Sequence, residues 1–233
     1  MRVEIFSDVV CPWCAIGKRR FEGALARFAH ADEVDVVWRA FELDPSAPAT
    51  AEGDLTTHLA EKYGISEEQA RASQVGLTAM AEQEGLDFHF DLAQRANTFD
   101  AHRLLHYALE VGAQEALEER LFRAYFTEGA PVGDRGTLVR LAEEVGLDGA
   151  SCAEILETER YGAEVRADEA DARALGVSGV PFFVIDRQYG ISGAQSAETI
   201  LAVLEEAWSG SHQTVPVEGG GAVGDDESCE LEH

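Results

Sequence analysis

Two cysteines separated by two residues, Cys11-Pro12-Trp13-Cys14, stand where a strand pattern gives way to a helix pattern. Val3 to Val10 is rich in apolar and β-branched residues and reads as a buried strand. Beyond Cys14, the residues Ile16, Phe21, Leu25 and Phe28 recur at helical spacing. Cys11 therefore falls near the helix N-cap. Pro12 takes the first helical position, where a missing N–H costs nothing. A spacing of three brings Cys14 back after one turn, within reach of a disulfide.

This junction suits thiol chemistry. A thiolate at Cys11 faces unsatisfied backbone N–H groups and the positive end of the helix dipole, and both favour the ionised form. Cys14, inside the first turn, can attack a mixed disulfide formed at Cys11. The same pair would serve as half a zinc site, but no second Cys/His pair with suitable spacing accompanies it. The strand–CxxC–helix context points to redox work.

Composition narrows the rest. The 233 residues are 45% apolar, enough for one large domain or two intimately joined ones. A net charge of −26 argues against nucleic acid and against an anionic membrane surface as partners. Four cysteines are too few for a disulfide framework. No secretory h-region precedes the first strand and no apolar run is long enough to span a membrane, so a cytoplasmic location is expected. The closing Leu231-Glu232-His233 resembles the start of an expression tag.

Along the chain, Val34 to Leu43 reads as a second strand, completing a right-handed βαβ unit with parallel pairing. From about Ala51 to Leu175 the pattern is helical, with a capping-box match at Ser66-Glu67-Glu68-Gln69 and a short extended piece at Leu86 to Phe90. Strand character returns at Gly179 to Asp186, entered through Pro181, with Tyr189 to Ser192 as an antiparallel partner. A last helix runs from Ser196 to Trp208. The order βαβ, helical block, ββα describes an α/β chain. Residues 1–48 and 176–208 form a discontinuous domain interrupted by a helical insertion over 49–175. An acidic, Gly-rich disordered tail is expected over 209–230.

With CPWC after the first strand and Val180-Pro181 entering the third, the sequence resembles the thioredoxin fold, and the helical insertion resembles the DsbA family. Phe6-Ser7-Asp8 ahead of CPWC, Asn97 to His102 at a helix start, and Gly193-Ala194-Gln195 after the last strand are similar to its FrnE-like, cytoplasmic branch. The resemblance implies Cys11 as nucleophile, Cys14 as resolving thiol and Pro181 as a cis-proline beside them. It also implies that the backbone of Val180 pairs with an extended substrate. Pro12 and Trp13 would contact that substrate, and Asn97 and His102 would line the groove over Cys11.

Other residues carry two readings. Asp8 is a turn or capping carboxylate, or a buried acid relaying a proton to Cys14. Asn97 and Asp100 are read first as helix caps. His102 and His106 share a helix face, but no third ligand accompanies them, so no metal is expected. Cys152 reads as a buried, inert thiol. Cys229, in the tail, is a candidate auxiliary thiol or a mere disordered end.

The expected function is a thiol–disulfide oxidoreductase or isomerase acting on disulfide- or thiol-containing proteins. It would need no cofactor beyond the Cys11–Cys14 disulfide, with a low-molecular-weight thiol as a candidate redox partner. The alternative is a thiol-dependent small-molecule enzyme of the related glutathione-transferase-kappa or 2-hydroxychromene-2-carboxylate isomerase type. Those relatives use a serine in place of the nucleophilic cysteine, whereas both cysteines are present here. A redox-sensing, chaperone-like peptide-binding module is a third reading.

Overall fold

The computed structural model describes residues 1–50 and 53–211. The expectations for the distal tail, Cys229 and the terminal Leu231-Glu232-His233 lie outside these residues.

Among the described residues, four strands form one sheet: β1 (Arg2–Ser7), β2 (Asp35–Ala40), β3 (Phe182–Ile185) and β4 (Tyr189–Ser192), in the order β2-β1-β3-β4. β1 and β2 pair in parallel around helix α1 (Pro12–Leu25), while β3 runs antiparallel to both β1 and β4. The β3–β4 hairpin turns through Asp186 and Arg187, both at positive φ. Two left-handed residues there match the twist of the flanking strands.

Between β2 and β3 lie α2 (Leu55–Tyr63), α3 (Glu67–Gln83), α4 (Phe99–Glu110), α5 (Gln114–Phe126), α6 (Arg135–Glu144), α7 (Gly149–Glu157) and α8 (Gly162–Ala174). The architecture is a thioredoxin-like α/β fold with a helical insertion. The capping box is formed: Ser66 Oγ accepts from the Gln69 N–H while the Gln69 side chain accepts from the Ser66 N–H. No helix among the described residues is long and apolar enough to cross a membrane.

The sheet is covered on both faces. Val3 and Ile5 of β1 pack with Phe183, with Phe21 of α1, and with Ile200 and Leu204 of the last helix, α9 (Ala197–Ser211). Phe6, pointing the other way, packs with Val184 and with Ala172 of α8. The period-2 alternation of a strand buried on both faces explains why this stretch is apolar almost throughout.

The largest apolar cluster crosses the boundary between the two halves. Val9, Cys11, Cys14, Ala15 and Ile16 are buried in one cluster with Leu104, Leu105, Leu121, Phe122 and Tyr125 of the insertion. Side chains of the insertion also cover the free edge of β2. Gln114 accepts from the Trp38 N–H and donates to the Trp38 carbonyl, both at 2.9 Å, as a paired strand would. Asp168 of α8 accepts the Ala40 N–H at 2.9 Å. An edge capped in this way cannot recruit a foreign strand.

Several element bounds differ from the sequence reading: β2 and β3 are shorter than Val34 to Leu43 and Gly179 to Asp186. β1 stops at Ser7, because Asp8 turns the chain and its carbonyl accepts the Cys11 N–H at 2.9 Å. The short piece Leu86 to Phe90 joins no sheet: Phe88 stacks on Phe126 with ring centroids 4.4 Å apart and the His89 N–H donates to the Phe126 carbonyl, which anchors it to α5. Residues 209–211, assigned above to the disordered tail, continue α9.

Candidate active site

Cys11 is the N-cap of α1, with extended backbone angles, and Pro12 opens the helix. The Cys11 carbonyl accepts from the Cys14 N–H at 3.0 Å, which folds the motif into a tight first turn. Both cysteines are free thiols. Cys11 is 3% exposed and Cys14 is wholly buried, whereas Trp13 between them is 40% exposed. The outer face of the turn, beside Trp13, is its exposed side.

The second half of the site comes from the far end of the chain. The Val180–Pro181 peptide bond is cis. The Cys11 thiol donates to the Val180 carbonyl at 3.5 Å. Gly17, on the next turn of α1, lets the Pro181 ring close in: a Cβ built at Gly17 would lie 2.9 Å from Pro181 Cγ. The Pro181 carbonyl accepts from the Gly193 N–H at 2.9 Å, so the Gly193-Ala194-Gln195 turn buttresses the loop.

Behind the cysteines is a buried polar layer. Burial pushes the Cys14 thiol well above its ordinary pKa, and the adjacent Cys11 adds to this; the Asp8 backbone and the Ser7 hydroxyl pull the other way. Asp8 is fully buried: its Oδ2 accepts the Leu43 N–H at 2.7 Å and its Oδ1 lies 3.6 Å from His102 Nε2. Burial works against the His102 imidazolium, but the Asp8 carboxylate, aided by Glu118 and Glu42, outweighs it and raises the His102 pKa. Ser7 donates to Glu118 Oε1 at 2.9 Å, and burial pushes the Glu118 carboxyl up to about 7.

The other sequence candidates fall elsewhere. His102 is 2% exposed and faces Asp8, so it lies beneath the site and not along an open groove over Cys11. Asn97 accepts from the Phe99 N–H at 3.0 Å and donates to Glu42 and to the Pro45 carbonyl; it shapes the turn into α4, whose N-cap position is Thr98 and not Asn97. Asp100 is not a cap: it pairs with Arg103 and Arg135. His106 pairs with Asp168 at 3.0 Å. Among the described residues, no group of three His, Cys, Asp or Glu is arranged to hold a metal. Cys152 is buried, and burial raises its thiol to about 11.

Ser7, Gly17 and Glu118 went without assigned roles in the sequence reading. Two of them left a signal. Gly17 interrupts a helix interior, where a glycine marks close packing. Glu118 shares a helical stripe with Leu121, Phe122 and Tyr125, so its charge sits on an apolar face.

Residues 2–205 match the DsbA-like thioredoxin domain. The chain belongs to that family. A probable DsbA oxidoreductase from Streptomyces coelicolor is 45% identical to this DsbA-like chain, with a TM-score of 0.87 and full coverage of both chains. The uncharacterized protein YwbO of Bacillus subtilis is 33% identical over 192 residues, covering 79% of this chain and 86% of its own length. A cytosolic disulfide reductase, DsbM from Pseudomonas aeruginosa, shares the DsbA-like fold at 18% identity and a TM-score of 0.63, with coverage of 89% of this chain and 98% of that one.

Proposed function

We propose that this chain is a thiol–disulfide oxidoreductase acting on protein disulfides, with Cys11 as nucleophile and Cys14 as resolving thiol. The observation that carries this reading is the 3.5 Å approach of the Cys11 thiol at a helix N-terminus to the Val180 carbonyl. A substrate strand pairing with Val180 competes for that carbonyl, so docking and release of the Cys11 thiol become one event. Trp13, exposed at the rim, and Pro12 offer the apolar contact. Pro181 holds the loop against α1.

The Cys11 thiolate attacks one sulfur of the substrate disulfide. That bond breaks, one substrate thiolate leaves and takes a proton from solvent, and a mixed disulfide joins Cys11 to the other sulfur. Cys14 then attacks Cys11 Sγ, which releases the second substrate thiol and leaves the Cys11–Cys14 disulfide. The reverse sequence oxidises a dithiol substrate, and interrupted cycles isomerise disulfides. A low-molecular-weight thiol, or its disulfide, resets the pair. We assign the reaction to the cytoplasm, where a CxxC with few other cysteines serves catalysis better than structure.

Insulin reduction tests the assignment. Cys11→Ser brings turnover to background; unchanged turnover in that variant overturns the reading.

A further inference from the structure

We propose that Arg20 of α1 is a positioning residue for substrate docking. It ties the turn that holds the Val180–Pro181 loop to the end of α3, and so fixes how the Val180 carbonyl is placed against Cys11. The inference rests on the docking role proposed for Val180 and deepens it.

Gly17, Arg20 and Gly23 recur along α1 at a spacing of three, which keeps them on one side of the helix. The two glycines let that side approach the C-terminal half of the fold. A Cβ at Gly17 would meet Pro181 Cγ and Ala194 Cβ, and one at Gly23 would meet Ala197 Cβ at 3.7 Å. Arg20 lies between them, where α1 faces the turn after β4.

The guanidinium of Arg20 makes two directed contacts. Its Nη1 donates to the Ala194 carbonyl at 2.6 Å, across 174 residues of sequence. Its Nε donates to Glu84 Oε1 at 2.6 Å, across 64 residues. The Arg20 and Glu84 side chains are only 21% and 26% exposed, so the pair is held within the structure and not waving at its surface. A planar guanidinium presents its donors in a fixed fork, so one acceptor sets the angle at which the other is met.

Each acceptor belongs to a different part of the molecule. Ala194 sits in the turn whose Gly193 N–H donates to the Pro181 carbonyl at 2.9 Å. That turn is compact: the Gln195 N–H donates to the Gly193 carbonyl and the Gln195 side chain donates to the Ser192 carbonyl, both at 2.9 Å. Gripping Ala194 therefore grips the cis-proline loop through a single further hydrogen bond. Glu84 is the C-cap of α3, in the helical insertion. Through Arg20, the seating of α3 is felt at the Val180 carbonyl, which accepts from the Cys11 thiol and in the proposed cycle pairs with the substrate.

A merely structural ion pair would change stability and leave docking alone. A positioning residue changes the docking of an extended substrate and spares a small disulfide, which reaches Cys11 without pairing with Val180. Stopped-flow mixing of the reduced Cys229→Ser protein with a disulfide-bonded peptide separates these roles. The half-saturating peptide concentration reports docking, and the limiting rate reports attack by Cys11. Arg20→Met keeps the apolar stem and loses both donations. It should raise the half-saturating concentration by roughly 10-fold and leave the limiting rate within about 2-fold. Dithiobis(nitrobenzoate) should react with it at the parent rate or faster, since a loosened Val180 carbonyl no longer holds the thiol proton.

Glu84→Ala, at a helix end, should shift half-saturation in the same direction by a smaller factor. The double variant should go no further than Arg20→Met alone. Should Arg20→Met fail to fold, Glu84→Ala tests the same link, and an unchanged half-saturation there overturns it. Unchanged half-saturation in Arg20→Met, equal slowing with peptide and dithiobis(nitrobenzoate), or multiplying effects in the double variant overturns the positioning role. A parent protein whose Cys11 does not react with the peptide overturns the oxidoreductase reading itself.

Discussion

The Cys11 thiol donates to the carbonyl of Val180, 3.5 Å away and 169 residues along the chain. This contact makes the site a joint product of both halves of the split fold. It exists because α1 and the Val180–Pro181 loop are pressed together, with Gly17 at the point of closest approach. The helical insertion then buries the rear of the CPWC turn, leaving Trp13 as the exposed approach.

Gly17 sets this spacing. A Cβ there would lie 2.9 Å from Pro181 Cγ and 3.5 Å from Ala194 Cβ, so Gly17→Ala must push the loop or the helix aside. Overpacking of this kind costs about 1–3 kcal/mol, while alanine returns roughly 1 kcal/mol of helix propensity. Stability should therefore fall only slightly, but a displaced nucleophile should slow insulin reduction by about 10-fold or more. Urea unfolding and turnover, measured on the same variant, check both halves of this expectation.

The buried layer gives stability an unusual pH dependence. The Glu118 carboxyl is raised from 4.5 to about 7, so the folded state holds a proton that the unfolded state has lost across that window. Its contribution therefore falls as pH rises through it, by up to about 3 kcal/mol. His102 acts in the same direction: with its pKa raised, its stabilisation is full below 6.5 and is lost as pH rises through the folded value. Urea titrations between pH 5 and 8 should show stability declining with pH, and Glu118→Gln should remove much of the slope. An unchanged slope would contradict the placement of Glu118.

Asp168 ties α8 to the edge of β2. It accepts the Ala40 N–H at 2.9 Å and pairs with Arg39 and His106, each at 3.0 Å. Burial opposes its ionisation, but His106, the Ala40 N–H and Arg39 lower its pKa overall. Its stabilisation is thus present above the unfolded value and is lost as pH falls through the folded one. Asp168→Ala strands the buried Ala40 N–H, while Arg39 keeps its pairing with Glu4, and should cost about 1–3 kcal/mol, read by chemical denaturation at neutral pH.

Much of this was legible in residue order. The strand-to-helix switch at Cys11, the helical block and the capping box at Ser66 are local patterns, set by periodicity and by side chains that satisfy nearby backbone groups. Cys11, Pro12, Trp13 and Cys14 announce themselves because thiol chemistry needs them at a helix start. The Ser7–Glu118 pair is a contact between β1 and α5 that only the tertiary fold creates; Glu118 on an apolar stripe was its one visible trace. His102 and Asn97 were matched to a family string, but a string does not say which side of the cysteines a side chain lies on. His102 packs beneath, against Asp8, and Asn97 is spent on the turn into α4.

In the proposed cycle, Cys11 forms, and Cys14 resolves, a mixed disulfide with a protein substrate. A Cys14→Ser variant incubated with a disulfide-bonded peptide, then digested and read by mass spectrometry, tests it most directly. A stable adduct carried on Cys11 is expected, absent from the unsubstituted protein because Cys14 clears it. No adduct, or one carried only on Cys152 or Cys229, would contradict it.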